Sequence, residues 1–146
     1  MDDDRAAIIA VLNRYADACD TRDWALFERV FTADATGDYG PDHQRGDRAA
    51  IIASIQSHLG GCGPTQHLLG NYDVDINGDR ATSSCRIRAY HRGTGEQADL
   101  FYECFGQYDD VLQRTADGWR ITHRRMRVDI ELGTHAVLKP LPRPSQ

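Results

Sequence analysis

Apolar residues first recur along the chain at helical spacing. Ile8, Leu12, Tyr15 and Cys19 stand four, three and four positions apart and make one stripe. This predicts a helix over Asp3–Asp20. The polar run Asp20-Thr21-Arg22-Asp23 breaks the stripe and offers two N-caps to whatever follows. Trp24, Phe27, Val30 and Phe31 then form a second, shorter stripe on a helix of about two turns. Ala33 to Tyr39 has turn and strand character, and Gly40-Pro41-Asp42-His43 is a loop. A third helix is expected from an N-cap at Asp47 to Leu59, with Ile51, Ile52, Ile55 and Leu59 inward. Gly60-Gly61 stops it where a left-handed conformation is needed.

From Pro64 the period changes from helix to strand. Thr65–Ile76 reads as a strand with an irregularity at Gly70-Asn71, because the apolar parity changes between Leu69 and Val74. Asn77-Gly78 is a hairpin signal leading to a strand over Ala81–His91. Arg92-Gly93-Thr94-Gly95 turns the chain into one long strand over Glu96–Thr115, and Ala116-Asp117-Gly118 turns it into the last, Trp119–Leu132. Three helices followed by long antiparallel strands make an α+β domain. A long antiparallel sheet with glycine irregularities curls, and curled around the helices it forms a cone open at one end. Such a cone is a pocket for a small apolar ligand. One domain is expected over 1–138, with a loose proline-bearing tail over 139–146.

Composition narrows the field without choosing a function. At 146 residues the chain suits one domain, and 40% hydrophobic with 27% charged residues is the balance of a soluble globule. A net charge of −5 without a basic block argues against nucleic acid as a partner. No apolar run approaches the roughly 20 residues that span a bilayer, so no membrane partner is expected. The start Met1-Asp2-Asp3-Asp4-Arg5 is unlike a signal peptide, which makes a cytoplasmic location the expectation. Cys19, Cys62, Cys85 and Cys104 show no CxxC pair or zinc spacing, so reduced thiols and no metal are expected.

A few residues could carry chemistry. Asp20 ends the first helix, where the macrodipole disfavours a carboxylate; dipole and burial are expected to raise its pKa toward that of a proton-exchanging group. It could equally cap the second helix. Tyr15 completes the apolar stripe and would share a face with Asp20 only if the helix ends there and the carboxylate turns inward. His67 opens a strand; facing a pocket beside Asp20 it becomes a general base with an orienting carboxylate, and otherwise it is an ordinary strand histidine. Strict alternation along the last strand puts Trp119, Ile121, His123, Arg125 and Arg127 on one face. Arg120, Thr122, Arg124, Met126, Val128 and Ile130 fall on the other, the better concave face. Arg124 there needs an anionic partner or ligand. His43, His58, His91 and His135 lie near loops or helix ends and receive no role.

Together Tyr15-Ala-Asp-Ala-Cys-Asp20 with Trp24 and Phe27, Gln66-His67-Leu68-Leu69-Gly70-Asn71, and Asp117-Gly118-Trp119-Arg-Ile121 resemble the SnoaL-like branch of the nuclear-transport-factor-2-like superfamily. The resemblance lies nearest the bile-acid 7α-dehydratase, dehydrochlorinase and scytalone dehydratase group and covers Asp4 to Leu132. It implies a cone-shaped α+β barrel. It implies that Asp20 pairs with a catalytic His67, and that Tyr15 and Arg124 are the site's polar residues, with Trp24, Met126 and Val128 against the substrate. Arg124 matches the dehydrochlorinase pattern, whereas the bile-acid enzyme keeps its arginine near Val128.

The expected function is a cofactor-independent lyase, dehydratase-like, acting on a small, largely apolar hydroxylated or carbonyl compound. His67 removes a proton from carbon, Asp20 orients it, and Tyr15 and Arg124 bond the developing oxyanion or departing hydroxyl. A polyketide or steroid-like cyclase or isomerase could use the same pocket, and so could a non-catalytic binding or assembly module. A homodimer or homotrimer is expected in each case, because the outer face of a long sheet needs cover.

Overall fold

In the computed structural model, which describes residues 2–144, helix α1 (Asp2–Thr21) buries Ile8, Leu12, Tyr15 and Cys19 along the expected stripe. Its acidic first turn suits the positive end of the helix dipole. Asp4 accepts both terminal nitrogens of Arg114, at 2.7 and 2.8 Å, and the Trp119 indole at 3.1 Å, which ties the helix start to the sheet. α1 ends where Arg22 turns left-handed, φ 55°. The expected two-turn helix is instead a six-residue 3₁₀ helix, Trp24–Arg29, capped by Asp23. It is short because Phe31, which the helical stripe had included, already opens strand β1 (Phe31–Asp38).

After the short strand β2 (Gln44–Gly46), helix α2 (Arg48–Leu59) begins at Asp47, whose carboxylate accepts from the Ala50 amide at 2.8 Å. Its end corrects an expectation: Gly60 is right-handed, φ −57°. Small residues are needed here for clearance, since a Cβ on Gly61 would stand 2.2 Å from the Pro140 carbonyl oxygen. The chain beyond 138 is tied at this point: the Lys139 amide donates to His58 O at 2.9 Å, and Gly61 donates to Lys139 O at 2.8 Å. Residues 145–146 of the expected loose tail lie outside the described residues.

The long strands are β3 (Thr65–Asn77), β4 (Arg80–Arg92), β5 (Phe101–Thr115) and β6 (Gly118–Gly133). β5 starts later than expected because residues 93–100 form a loop with a single 3₁₀ turn at Gly95–Gln97. The sheet order is β2-β1-β6-β5-β4-β3, antiparallel except for the parallel β1–β6 pair. The result is the expected α+β cone, three helices against one curved, mostly antiparallel sheet.

Three irregularities set which side chains face inward. In β3 the register shifts between Gly70 and Asp73, with Asn71 left-handed, so His67 and Leu69 share the inner face with Tyr72 and Val74. In β6 strict alternation fails twice. Ile121 pairs with Leu112 and His123 with Val111, so Thr122 is the extra residue. Trp119 and Ile121 are therefore buried on the same face as Arg124, not opposite it. A second shift places Phe105 against Ile130 and Gly106 against Val128, making Asp129 the extra residue. Ile130, expected on the concave face, is consequently 54% exposed, and Glu131 turns in. Among the described residues no helix is long and apolar enough to cross a membrane.

Candidate active site

The open end of the cone contains a cavity of about 520 Å³, walled by α1, α2, β3 to β6 and the segment after β6. Asp20 stands at the last turn of α1, opposite the first residues of β3. One carboxylate oxygen accepts from His67 Nδ1 at 2.7 Å and from the Thr65 hydroxyl at 2.8 Å. The other accepts from the His67 amide at 2.8 Å. Since the Asp20 carboxylate accepts, Nδ1 is the donor of the His67 ring, and in the neutral ring the lone pair is on Nε2. His67 lines the cavity, with its side chain 7% exposed.

The expected rise in the Asp20 pKa is overturned. Burial pushes it upward, but the His67 ring, the His67 amide and the Thr65 hydroxyl outweigh burial, and the carboxyl falls below its ordinary value. Arg22 extends the network. Its guanidinium donates to Thr65 Oγ1 at 2.8 Å, Leu59 O at 2.9 Å, Gly63 O at 2.7 Å and Cys19 O at 2.7 Å. It joins the ends of α1 and α2 to the start of β3.

Tyr15 lines the cavity, one turn before Cys19 on the same helix face. Its hydroxyl lies 3.3 Å from that of Tyr39, which follows β1. Burial raises both phenols, Tyr39 to about 12 and Tyr15 well above its ordinary value, so both are neutral hydroxyls at neutral pH. Met126 and Val128 also form part of the wall.

Arg124 and Trp24 occupy other places. Arg124 is fully buried behind the wall, with Nε and Nη2 each 2.8 Å from an Asp110 oxygen. Its guanidinium lies 3.8 Å from the ring centre of Tyr108 and 4.2 Å from that of Tyr15. Nη1 is buried without a hydrogen-bond partner among the described residues. Trp24 stacks on Phe27, centroids 6.2 Å apart, and packs against the core away from the cavity wall.

Sequence reasoning missed much of the wall. Five of the six histidines line it: His43, His58, His67, His91 and His135. Among the described residues no three potential ligands converge on a metal position. His91 was recoverable, because Ala81, Ser83, Cys85, Ile87 and Ala89 alternate inward along β4 and His91 continues the series. Its Nδ1 donates to Tyr102 O at 2.9 Å, and burial lowers its pKa to about 4, so it is a neutral imidazole. His91 meets His67 edge-on at 5.4 Å. Glu131 had no signal, since its apolar neighbours Ile130 and Leu132 argue for the opposite phase.

Known proteins place this geometry in a family. The SnoaL-like domain matches residues 3–125. The uncharacterized protein Rv2910c of Mycobacterium tuberculosis is 35% identical over 127 residues, 83% of this chain and 82% of that protein. The crystal structure of Kfla4162 from Kribbella flavida superposes with a TM-score of 0.82 at 29% identity, covering 90% of this chain and 94% of that one. A hexachlorocyclohexane dehydrochlorinase, LinA type 2, shares the fold at 12% identity, TM-score 0.79, over 89% of this chain and 88% of its own. The chain therefore belongs to the SnoaL-like domain family, within the nuclear-transport-factor-2-like superfamily.

Proposed function

We propose that the cavity is the active site of a cofactor-independent lyase of the dehydratase type, acting on a small, largely apolar compound with a hydroxyl β to a carbonyl. The observation that carries this is the 2.7 Å bond between Asp20 and His67 Nδ1, which leaves Nε2 as the free base on a cavity wall. His67 Nε2 takes the proton from the carbon beside the carbonyl. The C–H electron pair becomes the new C=C bond, and the hydroxyl leaves with its own pair. The imidazolium returns its proton to that hydroxyl, so the net change is loss of water. Asp20 holds the ring and stabilises its charged state.

The Tyr15–Tyr39 hydroxyl pair supplies a donor for the carbonyl oxygen as negative charge develops. Arg124, stacked on Tyr15 from behind, is a positioning residue rather than a group that touches substrate. The elimination chemistry in the name of a structural relative, a dehydrochlorinase, supports a lyase over the cyclase and isomerase alternatives.

The test is mass spectrometry on a panel of cyclic β-hydroxy ketones. Wild type is expected to form the enone with loss of water, and His67→Ala to slow turnover by about 10²–10⁴-fold. A product of unchanged mass would replace the lyase with an isomerase. Near-wild-type turnover by His67→Ala would show that His67 is not the base, and binding without turnover by wild type would leave a binding module. The outer sheet face, where Leu68 and Ile130 remain exposed, supports the expected homodimer or homotrimer, which light scattering in solution would measure.

A further inference from the structure

The cavity holds a second carboxylate–histidine pair for which the proposed elimination has no use. Glu131 accepts from the Tyr102 hydroxyl at 2.7 Å and from His135 Nε2 at 2.8 Å. Both donors fall on Oε1, and among the described residues none falls on Oε2. The Glu131 and His135 side chains are 51% and 68% exposed, so their ion pair by itself contributes little. Glu131 also lines the cavity, and Tyr102 is only 6% exposed.

The rings beside Glu131 form a continuous row. His135 meets Tyr102 edge-on at 4.5 Å, Tyr102 lies 5.3 Å from His91, and His91 lies 5.4 Å from His67. Asp20 holds the ring at one end of this row and Glu131 the ring at the other. An anionic oxygen at a cavity mouth, its partner oxygen already occupied by two donors, can only accept a hydrogen bond.

We propose that Glu131 is a second polar subsite of the cavity. It takes an O–H or N–H donor at one end of an elongated ring compound whose other end faces His67. The cavity volume of about 520 Å³ suits a ligand of that size. The subsite decides which molecules bind and does not rest on the proton transfer assigned to His67, so failure of one leaves the other standing.

The test is equilibrium binding of three rigid probes: 4-phenylphenol, 4,4′-dihydroxybiphenyl and 4-(4-aminophenyl)phenol. Wild type is expected to bind the two double-ended probes about tenfold more tightly than the single-ended one, as a hydrogen bond to a charged acceptor provides. In Glu131→Gln, Tyr102 and His135 retain the amide oxygen, and the amide nitrogen takes the place of Oε2. An acceptor becomes a donor, and the tenfold advantage should fall below about twofold with an unchanged unfolding midpoint. A gain for the amino probe alone, or for the diol alone, supports the subsite and names the donor it reads. Equal affinity of all three probes for wild type overturns the proposal. So does an advantage that survives Glu131→Gln, or an equal loss for the single-ended and double-ended probes.

Discussion

Three hydrogen bonds converge on Asp20, all from residues at the start of β3, and the Thr65 hydroxyl is itself bonded by Arg22. Thr65→Val keeps the side-chain shape and removes one donor. The Asp20 carboxyl should then titrate higher by NMR, and Thr65→Ser should restore it; an unmoved titration would show that the hydroxyl is incidental. His91 makes a separate prediction from its pKa of about 4 against an ordinary value of 6.5. The unfolded chain takes up a proton at His91 near pH 6.5 and the folded chain only near 4, so the neutral buried ring costs stability as pH falls through that window. The full loss is roughly 3 kcal/mol. Urea unfolding of His91→Asn, whose amide can still donate to Tyr102 O, should show a correspondingly flatter pH dependence between 6.5 and 4.

Strand β6 is the element on which the site depends most. Two extra residues, Thr122 and Asp129, shift its phase so that Trp119, Ile121, Arg124, Met126, Val128 and Glu131 all face inward. The first shift was legible: apolar residues change parity between Ile121 and Met126, the same signal that located the irregularity in β3. The second was not, because the exposed Ile130 and Leu132 imitate an uninterrupted inner face. Across the β5–β6 pair, Arg124 and Asp110 form an ion pair with both side chains fully buried. Arg124→Met leaves the Asp110 carboxyl buried without its partner and should cost about 3–5 kcal/mol in denaturant unfolding. The double variant with Asp110→Leu should recover most of that loss. Failure to recover would mean that the guanidinium stacked between Tyr15 and Tyr108 is itself needed for packing.

At the scale of the whole molecule, the cone brings together residues that the chain keeps far apart. The cavity histidines come from the β1–β2 loop, α2, β3, β4 and the 3₁₀ turn after β6, one from each. Ala89 lies on the wall at 1% exposure, directly across from His67 in the β3–β4 register. Ala89→Phe should place a ring in the cavity and weaken binding of 4,4′-dihydroxybiphenyl more than tenfold, by occupying space rather than altering chemistry. Because the ring fills an open cavity, the unfolding midpoint should stay within a few degrees of wild type. A lowered midpoint with unchanged probe affinity would show that the probe binds elsewhere.

The order of the main elements, the α+β class and the Asp47 cap of α2 were legible in the sequence itself, and the Asp20–His67 pair was legible only through the family resemblance. The first three rest on local periodicity and turn chemistry among a few neighbouring residues, whereas the pair joins residues 47 positions apart. Three things were decided by the tertiary structure. The depth of Arg124 follows from a bulge and from Asp110, fourteen residues away. The lowered Asp20 carboxyl follows from donors supplied by a strand that begins 45 residues later. The place of Glu131 follows from a second bulge that the apolar pattern conceals. The physical reason is common to all three: a side chain's burial and partners depend on which strands pair and in which phase, and one extra residue reverses that phase for everything beyond it.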